Sequence, residues 1–140
     1  MDNPVYYVQY AHARVHSMLA KAREAGISPA APGAACLEHL NTPEDLELCR
    51  LMERFPDLVA AAAEALAPHL VSHYLSELAA ALHKYYSQHH VLSAGAEVAS
   101  ARLLLLCCVA ATLAAGLDLL GVSAPERMDQ VSADTEQAPS

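Results

Sequence analysis

The sequence predicts an all-α fold, a bundle of about five helices. Alanine and leucine dominate the 140 residues, glycine numbers only 5 and aromatic residues make up 5%, a composition that favours helices over a sandwich or barrel. Apolar residues recur at spacings of three and four, the period of one helical face. Prolines stand where such segments begin. The 54% apolar fraction fills one core and excludes a disordered chain.

Asn3-Pro4 opens the first helix, with asparagine as cap and proline at the first helical position, and the pattern runs to Gly26, giving a helix over about 4–25. On a wheel of about 100° per residue, Val8, Ala11, Val15, Leu19 and Ala22 form its buried stripe. Tyr7, Tyr10, Arg14, Ser17 and Lys21 form a second stripe about a third of a turn away. Residues 26–42 hold Gly26, Pro29, Pro32 and Gly33 without periodicity and read as a loop with room for one short turn. Thr42-Pro43-Glu44-Asp45 starts a second helix, with threonine as cap and acids in the positive first turn, and it ends near Arg54 because Pro56 disfavours α geometry at Phe55.

A short alanine-rich third helix follows over about 56–66, and Pro68 restarts the chain. The fourth helix, about 68–88, aligns Val71, Tyr74, Leu75, Leu78, Leu82 and Tyr85 as one core-facing stripe. Val91 and Leu92 lead to Gly95 and a fifth helix over about 96–120, stopped by Gly121. Beyond Met128 the periodicity is lost, so residues 129–140 are expected to form a disordered acidic tail outside a domain spanning 1–128. No internal repeat points to a solenoid.

The four cysteines, Cys36, Cys49, Cys107 and Cys108, show neither a disulfide framework nor CxxC spacing and read as reduced, buried thiols of a cytoplasmic protein. The first 20 residues lack a basic region and a continuous apolar run, so no secretory signal is expected. The apolar run 103–117 is shorter than the roughly 20 residues a bilayer requires and reads as a core helix, so no membrane is expected. The net charge of −8 opposes nucleic-acid binding, because Lys and Arg supply most non-specific affinity.

Against that average, the second stripe of helix one puts two aromatic rings in line with two cations, an arrangement suited to an unpaired nucleotide. The same pattern is also met where half-buried tyrosines line a core and cations are merely solvated. Tyr85 and Tyr86 form a second aromatic cluster with His83, Lys84, His89 and His90 around it, and Tyr86 and His90 are one turn apart if the helix reaches that far. His12/His16 and His69/His73 sit at i,i+4, yet neither pair has a third ligand at metal spacing, so no metal site is expected. Paired carboxylates, a GxSxG elbow and a glycine-rich phosphate loop are missing, and no catalytic residue is expected.

Residues 3–14, NPVYYVQYAHAR, resemble the segment that begins the anticodon-binding domain of arginyl-tRNA synthetases. HYLSELAAALHKYYSQHHVL over 73–92 is similar to the family's later helix, and SARLLLL through GLDLLGVSAPERM resembles its C-terminal helix and ending. The resemblance covers about residues 2–128 and is weakest over the loop 26–41. It implies a helical bundle named for a DALR signature, the anticodon-binding domain of a class I aminoacyl-tRNA synthetase, which holds the anticodon loop of arginine tRNA with splayed bases.

Carried over by position, Tyr10 and Arg14 match the first motif, Tyr86 matches a tyrosine near the anticodon, and Met128 matches the family's terminal methionine. Tyr7 shares the stripe of Tyr10. His90 departs from the pattern, since some members carry an aromatic residue there. In such an enzyme ATP and Mg2+ belong to the catalytic domain, whose HIGH-like motif, KMSKS-like loop and nucleotide-binding sheet have no counterpart in this sequence. The chain is therefore expected to lack cofactor and ligase activity of its own, to partner the catalytic domain of the same enzyme, and to be a monomer. Met1 directly before Asp2 reads as a start placed at a domain boundary, engineered or natural. The alternatives are a helical protein-interaction domain that has lost RNA binding, which the charge of −8 favours, and a metal-dependent helical enzyme, which only the histidines favour.

Overall fold

Proline and glycine mark the helix ends. The computed structural model describes residues 4–33 and 37–128. Among them are five α-helices, α1 (Pro4–Glu24), α2 (Pro43–Glu53), α3 (Phe55–Ala65), α4 (His69–Gln88) and α5 (Ala96–Leu119), with a 3₁₀ turn at Val91–Ser93. The bounds fall within about a residue of those predicted. The cap at Asn3, the thiol of Cys36 and the tail 129–140 lie outside the described residues.

Gly26 (φ 78°) and Gly121 (φ 74°) end α1 and α5 in the left-handed conformation. The following N–H turns back in each case, Ile27 to the Ala22 carbonyl (2.8 Å) and Val122 to that of Leu117 (2.9 Å). Leu66 ends α3 in the same conformation (φ 52°) with its side chain 87% exposed.

α1, α4 and α5 pack against one another, and α2 and α3 close the bundle against α4. The predicted stripe of α4 is buried throughout, from Val71 to Tyr85, and meets Leu48 and Leu51 of α2 and Leu103, Leu106, Val109, Leu113 and Leu117 of α5. At Gly116 the two long helices come so close that a Cβ would stand 2.5 Å from Leu75 Cδ2, so the approach of α5 to α4 requires glycine.

Three expectations need correction. In α1, Leu19 is only half-buried, while His12 and Ala13 join the core, because the chain after α5 returns along this side of α1 and covers His12. The run 103–117 sits in a helix of 24 residues that is long and apolar enough to cross a bilayer, so its shortness was no argument. Burial of residues around much of its circumference, among them Ala101, Leu103, Leu105 and Val109, accounts for its composition instead. Finally, Cys49 and Cys108 are exposed and Cys107 is half-buried, so the apolar surroundings in sequence were no guide to thiol burial; all three are free.

α2 is clamped to α4 at both ends. The Tyr74 hydroxyl donates to the Leu51 carbonyl near the end of α2. At its start, Asp45 is completely buried: its N–H donates to Thr42 Oγ1 (3.1 Å), its Oδ2 accepts the Thr42 N–H (3.1 Å), and its Oδ1 accepts the Tyr85 hydroxyl (2.6 Å). A buried carboxylate is tolerable only with such partners. Burial and the adjacent carboxylate push the Tyr85 hydroxyl far above its ordinary pKa, so it remains a donor.

Tyr85→Phe is expected to cost about 1.5–3 kcal/mol, the range for a hydrogen bond to a charged group, read as a lower urea midpoint; an unchanged midpoint would contradict it. Leu66→Gly is expected to gain about 1 kcal/mol in the same measurement, since it relieves a left-handed residue with few contacts to lose.

Candidate nucleic-acid interface

Tyr7, Tyr10 and Arg14 project from one flank of α1, at i, i+3 and i+7, and all three are exposed. The clamp at Tyr85 sets the rotation of α4, which carries His83 and Tyr86 three residues apart on its side facing α1. The His83 ring lies 5.2 Å from that of Tyr7 and 5.9 Å, near-parallel, from that of Tyr10. Arg14 bridges the helices: Nη1 is 2.9 Å from His83 Nδ1, and the guanidinium carbon is 4.3 Å above the centre of the Tyr86 ring.

An arginine only donates, so His83 Nδ1 must be the acceptor and its proton must sit on Nε2. Burial, and then the Arg14 cation, lower the His83 pKa from its ordinary 6.5 and favour this neutral form. Tyr86 is half-buried, its hydroxyl is enclosed without a hydrogen-bond partner, and burial raises its pKa strongly. Its ring is a platform for Arg14, and the exposed rings are those of Tyr7 and Tyr10. Together the cluster offers aromatic faces beside a fixed guanidinium, the means to stack an unpaired base and bind a phosphate or base edge.

The structure thus brings Tyr7, Tyr10, Arg14 and Tyr86 together around His83 and leaves His90 and Met128 outside that contact set. The expected one-turn pairing of Tyr86 with His90 is not formed, because α4 ends at Gln88 and both His89 and His90 are extended. His89 is held instead: its Nε2 is 2.9 Å from Glu44 Oε1, a bond that lowers the Glu44 pKa, and its ring packs on Tyr85. His90 is exposed beyond this anchor.

Met128 ends a strap, residues 122–128, that lies along α1 on the flank away from the cluster. Gln9 Nε2 donates to the Ser123 carbonyl (2.8 Å), and the His12 Nδ1 is 3.0 Å from that of Pro125. Among the described residues no three His, Cys, Asp or Glu side chains converge as metal ligands. The central role of His83 went unrecognised in the sequence, where it is one of several polar residues near Tyr86; its i,i+3 spacing to Tyr86 was the available signal.

Comparison with known proteins bears on this surface. A family profile, the DALR anticodon binding domain, matches residues 8–128. The arginine–tRNA ligases of Solidesulfovibrio magneticus and Nitratidesulfovibrio vulgaris (strain Miyazaki F) are 60% and 58% identical to the chain over 91% of its length. The chain spans only 23% and 24% of those two proteins. The structure of Thermus thermophilus arginyl-tRNA synthetase superposes with a TM-score of 0.73 at 40% identity, over 87% of this chain and 21% of that one.

NMR titration is expected to place the His83 midpoint below 6.5, and Arg14→Gln to raise it by removing the cation; a midpoint unmoved by that substitution would contradict the contact. Since the folded pKa is depressed, the neutral ring contributes stability above the unfolded value. That contribution is lost as pH falls from 6.5 through the folded midpoint.

Proposed function

The chain belongs to the family of DALR anticodon binding domains, and from that premise we propose that it holds the anticodon loop of arginine tRNA as part of a class I arginine–tRNA ligase. The observation that carries the reading is the cluster of Tyr7, Tyr10, Arg14, His83 and Tyr86, exposed rings beside a cation fixed by two contacts. Stacking on an aromatic side chain is worth about 1–3 kcal/mol per base, enough for recognition without a basic surface. The charge is also uneven: α1 carries three of the chain's eight Lys and Arg residues against one acid, Glu24.

Arginine activation, with its ATP and Mg2+, is assigned to a catalytic domain of the same enzyme, which is also the domain's covalent partner. His90 and Met128 remain candidate loop contacts at the end of α4 and the end of the strap. The domain is read as a cytoplasmic monomer that contacts no membrane, with α5 given to the core. A helical protein-interaction domain that has lost RNA binding is the second reading, favoured by the net charge of −8 and by exposed leucines such as Leu46 and Leu66.

The test is titration of the domain with an arginine-tRNA anticodon stem-loop and a scrambled-loop control. Tyr10→Ala and Arg14→Ala are each expected to weaken binding of the arginine loop by roughly 5- to 150-fold, corresponding to about 1–3 kcal/mol, and to abolish the preference. Equal or undetectable binding of all loops at low salt would favour the protein-interaction reading. Affinity should be below that of a whole synthetase, in which tethered contacts reinforce one another.

A further inference from the structure

His83 is placed for more than holding Arg14. Its ring lies against both exposed rings of α1, with centroids 5.2 Å from that of Tyr7 and 5.9 Å from that of Tyr10. Nδ1 is taken by Arg14 Nη1 at 2.9 Å, which leaves the one proton of the neutral ring on Nε2. Among the described residues no group accepts that proton. Nor is Nε2 enclosed, since the buried side-chain atoms left without a partner there are Tyr86 Oη and Arg102 Nε. Arg14 thus fixes the tautomer that presents a donor to solvent between two rings able to hold a base.

We propose that His83 reads a base of the bound loop, donating from Nε2–H to a carbonyl oxygen on the edge of a base stacked at Tyr7 or Tyr10. The inference rests on the anticodon-loop reading and names a residue that selects within it. The donor set points to that kind of edge. Arg14 has N–H groups beyond the one given to His83, and among the described residues no acid is paired with it. Adjacent donors held in place suit a carbonyl oxygen and reject an edge that presents an amino group there. Burial and the Arg14 cation keep the His83 ring neutral, so it adds no charge and acts on selection rather than on phosphate attraction.

If His83 only held Arg14 in place, its substitutions would behave differently, and two near-isosteres separate the roles. Asparagine puts an acceptor at the position of Nδ1 and nothing at that of Nε2. Glutamine reaches the position of Nε2 with a donor and lacks the acceptor for Arg14. The experiment measures Kd for the arginine-tRNA anticodon stem-loop and the scrambled loop with the native chain, His83→Asn and His83→Gln, each checked for an unchanged melting temperature. It includes arginine loops in which one base carbonyl at a time is removed or weakened, with 2-aminopurine for guanine and 2-thio or 4-thio pyrimidines. His83→Asn is expected to weaken the arginine loop by about 5-fold, the scale of one hydrogen bond, and His83→Gln to recover most of that loss. The scrambled loop and the slope of log K against log salt should stay unchanged in His83→Asn. One analogue should weaken native binding by a similar factor and have no further effect in His83→Asn.

Native affinity in His83→Asn with loss in His83→Gln would reduce His83 to a support for Arg14 and overturn the proposal. An analogue series without effect on the native chain would overturn it too, and that result needs no variant to fold. Analogue penalties that persist in full in His83→Asn would do the same. In each case the anticodon reading stands as long as Arg14→Ala abolishes loop preference, whereas failure of the native chain to bind either loop at low salt would overturn both.

Discussion

A single buried carboxylate organises the half of the bundle that carries the cluster. Asp45 has no exposure, so its charge must be satisfied within the protein, and it is satisfied by the cap of its own helix and by one side chain of another, Tyr85. Leucine packing alone would let α4 rotate or slide by a few degrees at little cost. A short hydrogen bond to a buried charge does not, and with Tyr74 bonded to the far end of α2 it fixes α4 both in register and in rotation. Once Tyr85 points inward to Asp45, its neighbours His83 and Tyr86 meet α1.

From that constraint follows the state of the surface. Arg14 is taken up in two directions, by the His83 nitrogen and by the Tyr86 ring, so a long and otherwise mobile side chain loses much of its freedom before any ligand arrives. A preordered guanidinium costs less to bind with than a free one. α1 is the spine of this arrangement, with the cluster on one flank and the strap on the other, and its position between α4 and α5 gives both flanks a rigid support. An acidic protein can in this way present a locally basic, aromatic-bearing face.

Much of this was legible in the sequence. The helix ends were written in Pro4, Pro43, Gly26 and Gly121, and the stripe of α4 was marked by spacing alone, because such signals act within one or two turns of chain. Tyr7, Tyr10 and Arg14 could be placed on one exposed flank for the same reason. What could not be read are relations between helices. The pairing of Asp45 with Tyr85 spans 40 residues, and in the sequence Asp45 is one more acid in a first turn. The hub role of His83 depends on α4 lying beside α1. The exposure of Cys108 depends on which side of a uniformly apolar helix is left uncovered, a question that a sequence without periodicity leaves open. Tyr86 and His90 do not pair because His89, drawn to Glu44, ends the helix two residues short of what their spacing needs.

The claim on which the functional reading turns is that one face, made by α1 and the end of α4, meets the RNA loop. Photo-crosslinking with an arginine-tRNA anticodon stem-loop carrying 4-thiouridine in the loop, followed by mapping of the modified peptides by mass spectrometry, tests it most directly. Crosslinks concentrated at Tyr7, Tyr10 and the segment from His83 to Tyr86 are the result the structure predicts. Efficient crosslinks confined to α2 and α3, on the other side of the Asp45 clamp, would contradict it.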